Sequence, residues 1–179
     1  SISVRVYPAL VARTHPLAAV HGAYNAVFVE AEAAGDLMFY GAGAGGIQTA
    51  SAVMGDVVSA ARRHLAGGVG VGESTRANLP IAPIGHVTTR YQITLEVEDQ
   101  AGVLATVAGL LSDGGVSVAT VEQTVDDPAL ASDDAAQSTA RLVIGTHKAL
   151  EQHLSDTVQQ LSQSDVVRRV VSVLRVEGE

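Results

Sequence analysis

The sequence contains no cysteine, which excludes disulfides, thiol nucleophiles and cysteine-based zinc sites. Aromatic residues make up 3% of it, with no tryptophan, so the interior has to be built from Ala, Val, Leu and Ile. The 47% apolar content supplies enough of these for a core. Lysine occurs once, as Lys148, so lysine chemistry has a single candidate. No apolar run approaches the roughly 20 residues that a membrane-spanning helix needs, and no membrane partner is expected. Residues 1–10 carry Arg5 and alternate like a strand, which does not fit the apolar stretch of a signal peptide. A cytoplasmic location is the simplest expectation. No initiator Met stands at the start and the chain opens inside a strand-like pattern, which reads as a fragment of a longer protein.

Among the 179 residues, charge is unevenly placed. Residues 1–89 hold five Arg and five acids, which cancel; residues 90–179 hold five Arg, one Lys and fourteen acids, so 6 − 14 gives all of the net −8. The shift points to two units that meet near residue 89. A basic face for nucleic acid is missing, and no nucleic-acid partner is expected.

Periodicity supplies the elements. Ile2, Val4 and Val6 alternate with Ser3, Arg5 and Tyr7 as a strand would, with Pro8 at its end. Thr14, His15 and Pro16 form a turn, followed by a short helical turn at 17–20. Residues 25–31 and 37–40 read as strands joined by a hairpin turn at Ala34, Gly35 and Asp36. Residues 47–65 carry Ile47, Ala50, Val53, Met54, Val57, Ala61 and Leu65 on one helical stripe, with Arg62, Arg63 and His64 suited to the helix end. A glycine- and proline-containing segment without sustained period connects this half to the next. Beyond it, strands are expected at 91–97, 116–125, 140–146 and 166–176, with helices at 103–111 and 148–163. The acidic stretch 126–138 has no period and reads as a mobile loop. The order β-α-β-β-α-β is the ferredoxin-like arrangement, so the fold class is α+β. The expected division is 1–75 for the first unit, 76–89 for a linker and 90–179 for the second unit.

The first unit turns on Phe39-Tyr40-Gly41-Ala42-Gly43-Ala44-Gly45-Gly46-Ile47-Gln48-Thr49, a strand feeding a glycine loop that opens a helix. Glycines let a phosphate or a ring approach the backbone, and the helix start offers unpaired N–H groups. Gly41, Gly43 and Gly46 satisfy G-x-G-x-x-G. A dinucleotide fingerprint also needs a second parallel strand and an acid about 20 residues on. The next acid after Asp56 is Glu73, within a glycine-rich loop. Three readings stay open: a true dinucleotide fingerprint, a tight structural turn, or a loop meeting a cofactor held mainly by another part of the protein. The six histidines include no i, i+4 pair, and no metal site is expected. Asp56 could touch a substrate, but a hydrogen bond on its own helix is the simpler role; Ser51 has no base near it in sequence.

The second unit resembles an ACT domain, on Leu95-Glu96-Val97-Glu98-Asp99-Gln100-Ala101-Gly102-Val103-Leu104-Ala105, Leu110-Leu111 and Gly115-Val116-Ser117-Val118. The resemblance implies effector contacts from Asp99, Ala101, Gly102, Val103 and Leu104, and pairing of copies through this unit. Asp99 could equally serve only to cap the turn. The first unit resembles the C-terminal part of the catalytic domain of homoserine dehydrogenase, on His15-Pro16-Leu17-Ala18, Asn25-Ala26-Val27, Tyr40-Gly41-Ala42-Gly43-Ala44-Gly45, Thr49-Ala50-Ser51-Ala52-Val53 and Asp56. That resemblance implies an NAD(P)-dependent oxidoreductase interconverting aspartate semialdehyde and homoserine, in threonine and methionine biosynthesis. It implies cofactor contacts from Gly43, Ala44, Gly45, Gly46 and Thr49, with the dinucleotide domain and the catalytic lysine elsewhere in the full-length enzyme. Lys148, expected in the second helix of the ACT-like unit, cannot replace that lysine. The expectations are therefore no catalytic residue in this chain, no cofactor bound to it alone, a dimer or larger homo-oligomer, and a small amino acid such as threonine as effector. A second reading is an ACT-type amino-acid-binding and dimerisation module without catalysis.

Overall fold

The structure, a computed structural model, describes residues 1–68, 78–125 and 139–178. Glu73 and the acidic stretch 126–138 lie outside the described residues. The chain divides into two compact units, Ser1–Leu10 with Leu79–Gly178 and Val11–Asn78. The first ten residues thus group with the acidic second half, although the charge shift falls near 89.

The larger unit is a five-stranded sheet in the order β1-β9-β5-β7-β6 with two helices. Its strands are β1 (Ala9–Val11), β5 (Tyr91–Glu98), β6 (Val118–Val125), β7 (Thr139–Thr146) and β9 (Val167–Glu177). The helices are α2 (Val103–Asp113) and α3 (Glu151–Ser162). β5 pairs antiparallel with both β7 and β9, and β7 pairs antiparallel with β6. Without β1, the order β9-β5-β7-β6 is that of the ferredoxin-like β-α-β-β-α-β fold.

Alternation on β5 decides the core. Tyr91, Ile93, Leu95 and Val97 are each at most 5% exposed, while Gln92, Thr94, Glu96 and Glu98 are half-buried. Val107 and Leu111 of α2 and Leu154 and Leu161 of α3 join Leu142 and Ile144 of β7 in the same cluster. Burying one such side chain contributes about 1.5–3 kcal/mol relative to leaving it in water. Among the described residues one charged side chain is buried, Glu151, which is 6% exposed at the start of α3. Its carboxylate accepts from the Tyr91 hydroxyl at 2.7 Å and from Arg175 Nε at 3.3 Å, and pairs with Arg175 Nη2. Burial, reinforced by the bond to Glu151, pushes the Tyr91 hydroxyl up to about 12.

The alternation at Ile2, Val4 and Val6 does not make a strand. Ile2 forms one isolated bridge, to Ile81, and pairing resumes only at β1, beyond Pro8. Val4 is 78% and Val6 100% exposed, so the apolar face lies open while the half-buried face carries Arg5 and Tyr7, and Pro8 lacks the N–H a ladder needs. Lys148 is not helical: α3 begins at Glu151, after the short β8 (Ala149–Leu150), which pairs with β4 (Thr88–Thr89). A 3-10 turn at Ile84–His86 completes the connecting segment.

The smaller unit is a hairpin and a helix. β2 (Tyr24–Ala31) and β3 (Gly35–Ala42) pair antiparallel from Tyr24↔Ala42 to Ala31↔Gly35. Gly35, at φ +70°, closes the turn in a conformation that favours glycine. A 3-10 turn at Pro16–Ala19 precedes the hairpin, capped by His15, whose Nδ1 accepts from the Leu17 N–H at 3.2 Å. The same imidazole meets Phe28 edge-on at 4.7 Å. α1 (Gly46–Leu65) has the expected apolar stripe, yet Ile47 is 84% and Leu65 86% exposed. No described residue of 11–68 is fully buried.

The two helices of the larger unit meet where α2 ends. A Cβ on Gly114 would lie 2.1 Å from the Oγ1 of Thr157, which is 1% exposed and donates to the His153 carbonyl at 2.7 Å. Gly114 has φ −74°, open to any residue, so space alone demands glycine there. Gly114→Ala should lower stability by about 1–3 kcal/mol through overpacking. In a Thr157→Ala background the same change should cost clearly less. Urea unfolding of the four proteins decides it, and equal costs in both backgrounds would refute the contact.

Candidate functional site

The glycine loop is built from the outside in. The Gly43 N–H donates to the Ala23 carbonyl at 3.0 Å, which extends the hairpin by one bond and fixes where the loop leaves it. A Cβ on Gly43 would fall 1.9 Å from Nδ2 of Asn25, so the Asn25 amide occupies the space a side chain would take. Gly45 caps α1 at φ +129° and ψ 131°, a conformation reserved in practice for glycine. The first bond inside α1 runs from the Thr49 N–H to the Gly45 carbonyl at 3.0 Å. The N–H groups of Gly46, Ile47 and Gln48 are therefore left without partners inside the helix.

Ala44, Gly45, Gly46 and Thr49 line one open cleft of about 680 Å³, together with Ala50, Val53 and Met54. Gly43 lines a second cleft of about 260 Å³ on the hairpin side, with Asn25, Ala26, Val27 and Phe39 to Ala42. Ala50, Val53 and Met54 repeat at helical spacing behind the loop, which was the available signal for them as wall residues. Asn25 had none, because its role depends on the hairpin register. Asp56 and Ser51 do not line the cleft. The strand feeding the loop is half of an antiparallel hairpin, so among the described residues no parallel β-α-β unit surrounds it, which counts against the dinucleotide-fingerprint reading.

In the larger unit the loop after β5 turns at Gly102, which adopts φ +94°. A Cβ there would meet nothing within 4 Å, so backbone conformation rather than lack of room calls for glycine. The Thr106 N–H donates to the Gly102 carbonyl at 2.9 Å, the first bond of α2. Leu104 and Ala105 thus have no intrahelical acceptor. A cleft of about 70 Å³ opens here, lined by Val97, Glu98, Gln100, Gly102, Val103, Leu104, Gln123 and Leu142. Gly102, Val103 and Leu104 are brought together on it; Asp99 and Ala101 are exposed and not among its lining. Gln123 on β6 was invisible in the sequence, since only strand pairing carries it to this loop. Among the described residues no group of three His, Asp or Glu could hold a metal.

The sheet order of the larger unit is ferredoxin-like, and within it residues 91–165 match the family model for the ACT domain. Residues 1–58 match the family model for homoserine dehydrogenase. The homoserine dehydrogenase of Corynebacterium glutamicum is 54% identical over 179 residues, covering 100% of this chain and 38% of that protein. The one from Mycobacterium tuberculosis is 51% identical over 177 residues, covering 99% of this chain and 39% of that protein. Among solved structures, a homoserine dehydrogenase from Thiobacillus denitrificans aligns with a TM-score of 0.81 at 30% identity, over 98% of this chain and 39% of that one. The chain is similar along its whole length to homoserine dehydrogenases, and it spans about two fifths of the length of the relatives it matches.

The two loop glycines should respond differently to alanine. Gly45→Ala has to strain the cap, at about 1–3 kcal/mol, and free the Thr49 amide to exchange faster. Gly43→Ala needs only the Asn25 amide to swing aside. Amide exchange at Thr49 separates them, and equal acceleration in both variants would refute the reading.

Proposed function

We propose that this chain is the C-terminal portion of a homoserine dehydrogenase, interconverting L-aspartate 4-semialdehyde and L-homoserine in threonine and methionine biosynthesis. The observation that carries it is the cleft of Ala44, Gly45, Gly46 and Thr49, within the stretch matched by the homoserine dehydrogenase family. Its floor lacks side chains at two glycines and its wall is Ala50, Val53 and Met54, which suits one face of a flat ring. NAD(P), when bound, supplies or accepts the hydride. The glycine loop would lie against its nicotinamide side, with Gly43, Ala44, Gly45, Gly46 and Thr49 as contacts. Val53 and Met54 would keep water from that face. Lys148, the one lysine, lies in the ACT unit, so proton transfer to the substrate oxygen falls to groups outside this chain. The uncovered apolar stripe of α1 is the surface on which the rest of the enzyme would pack.

The ACT domain would bind a small amino acid, threonine first, as the end product of the pathway. The effector carboxylate would take the amides opening α2 at Leu104 and Ala105, beside Gly102 and Val103, with Asp99 and Ala101 on the loop's outer side. The 70 Å³ cleft has room for only a handful of waters, so an amino acid there would need a second wall. A second copy, laid along the end strand β6 where Val121 is 42% exposed, would provide one and make a homodimer.

The purified chain alone should not oxidise NAD(P)H with aspartate semialdehyde, and turnover by homogeneous chain would overturn the division of labour. Millimolar threonine should raise its melting temperature. Ligand at a hundredfold excess over its dissociation constant stabilises by about 2.7 kcal/mol. Gly102→Val should abolish the shift. No shift with any proteinogenic amino acid would leave the ACT domain a purely structural element.

A further inference from the structure

Residues Ser1–Leu10 belong to the ACT unit, yet in sequence they lead into the hairpin–helix unit. Three contacts hold them. The Ile2 N–H donates to the Pro80 carbonyl at 2.9 Å, and the Ala82 N–H returns to the Ile2 carbonyl at 2.8 Å. The Tyr7 ring lies under the Arg175 guanidinium at 4.4 Å, and its hydroxyl donates to the Glu177 carboxylate. β1 then runs beside β9.

Arg175 is itself held. The buried Glu151 carboxylate needs a cation, because a charge taken out of water without a partner is costly. Arg175 supplies it through Nε and Nη2, and lies 5.6 Å from the Tyr91 ring centroid on one side as well as over Tyr7 on another. The backbone of the same Glu151 donates its N–H to the Val87 carbonyl at 2.8 Å. Val87 lies on the segment that leaves the hairpin–helix unit. One residue therefore holds the outgoing chain through its backbone, and through its side chain fixes the Arg175 guanidinium on which Tyr7 of the incoming chain stacks.

We propose that residues 1–10 form a strap fastened to the ACT unit by Tyr7 on the Arg175–Glu151 pair, and that Glu151 couples both chain crossings of the hairpin–helix unit to the first turn of α3. A displacement of α3 or of β9 would reach both crossings together. The device is independent of the dehydrogenase reading, since it uses no residue of either cleft.

Amide hydrogen exchange on the whole chain tests it. In Tyr7→Leu, exchange at Ile2, Ala82 and Ala9–Val11 should quicken about fivefold or more, the factor that loss of a contact of cation–π strength implies. Exchange at Ile93, Leu95 and Leu142 should stay as in the parent. Glu151→Gln should quicken the strap and also Val87 to Thr89, although its backbone N–H is unchanged. Should Glu151→Gln fail to fold, Tyr7→Leu decides alone, because Tyr7 lies outside the core. Unchanged exchange in the strap of Tyr7→Leu, or a uniform rise throughout the chain, would overturn the proposal.

Discussion

Strand β5 lies between β7 and β9, and its inward side chains Tyr91, Ile93, Leu95 and Val97 are the surface against which the rest of the ACT unit packs. Side chains on a strand alternate strictly, so a slip of one residue would turn Gln92, Thr94, Glu96 and Glu98 into the core. That penalty fixes the register of both neighbours. It also fixes the height at which α2 and α3 must lie, and hence the close passage of Gly114 against Thr157. The buried charge of Glu151 is tolerated because Arg175 and Tyr91 both reach it.

Elements with long, strong periods were legible in the sequence. The helices α1 and α2 and the strands β2, β5, β7 and β9 fall within a few residues of where apolar spacing puts them. What failed had a pattern without burial or burial without a pattern. Ile2, Val4 and Val6 alternate well but have no surface to face, so the alternation is idle. β1, β4 and β8 are two or three residues long and exist only because a partner edge is present. Such pieces are products of tertiary contact, and local sequence carries no trace of it.

Of the glycine-loop cleft, Ala44, Gly45, Gly46 and Thr49 fall close together in sequence where the loop opens α1, so that side of the cleft is local. Whether the loop was a dinucleotide fingerprint depended on its neighbour strand being parallel or antiparallel, and spacing among glycines says nothing about that. The cleft of the ACT unit was half legible for a related reason. Gly102, Val103 and Leu104 sit together in sequence, whereas Gln123 and Leu142 arrive on β6 and β7 from far along the chain. Motif reasoning finds the contiguous half of a site and leaves the half that the fold assembles.

The strap also imposes an order of events. Tyr7 hydrogen-bonds to Glu177, 170 positions later in the chain, and β1 pairs, among the described residues, with β9 alone. Residues 1–11 are synthesised before the strand that seats Tyr7 and β1. Until β9 is laid down the strap has only the Ile2 bridge to Ile81 to hold it, while the hairpin and α1 have already been made. Contacts of such separation are slow to form because so long a loop has to close. The segment that leads into the hairpin–helix unit thus settles after the elements it precedes in sequence.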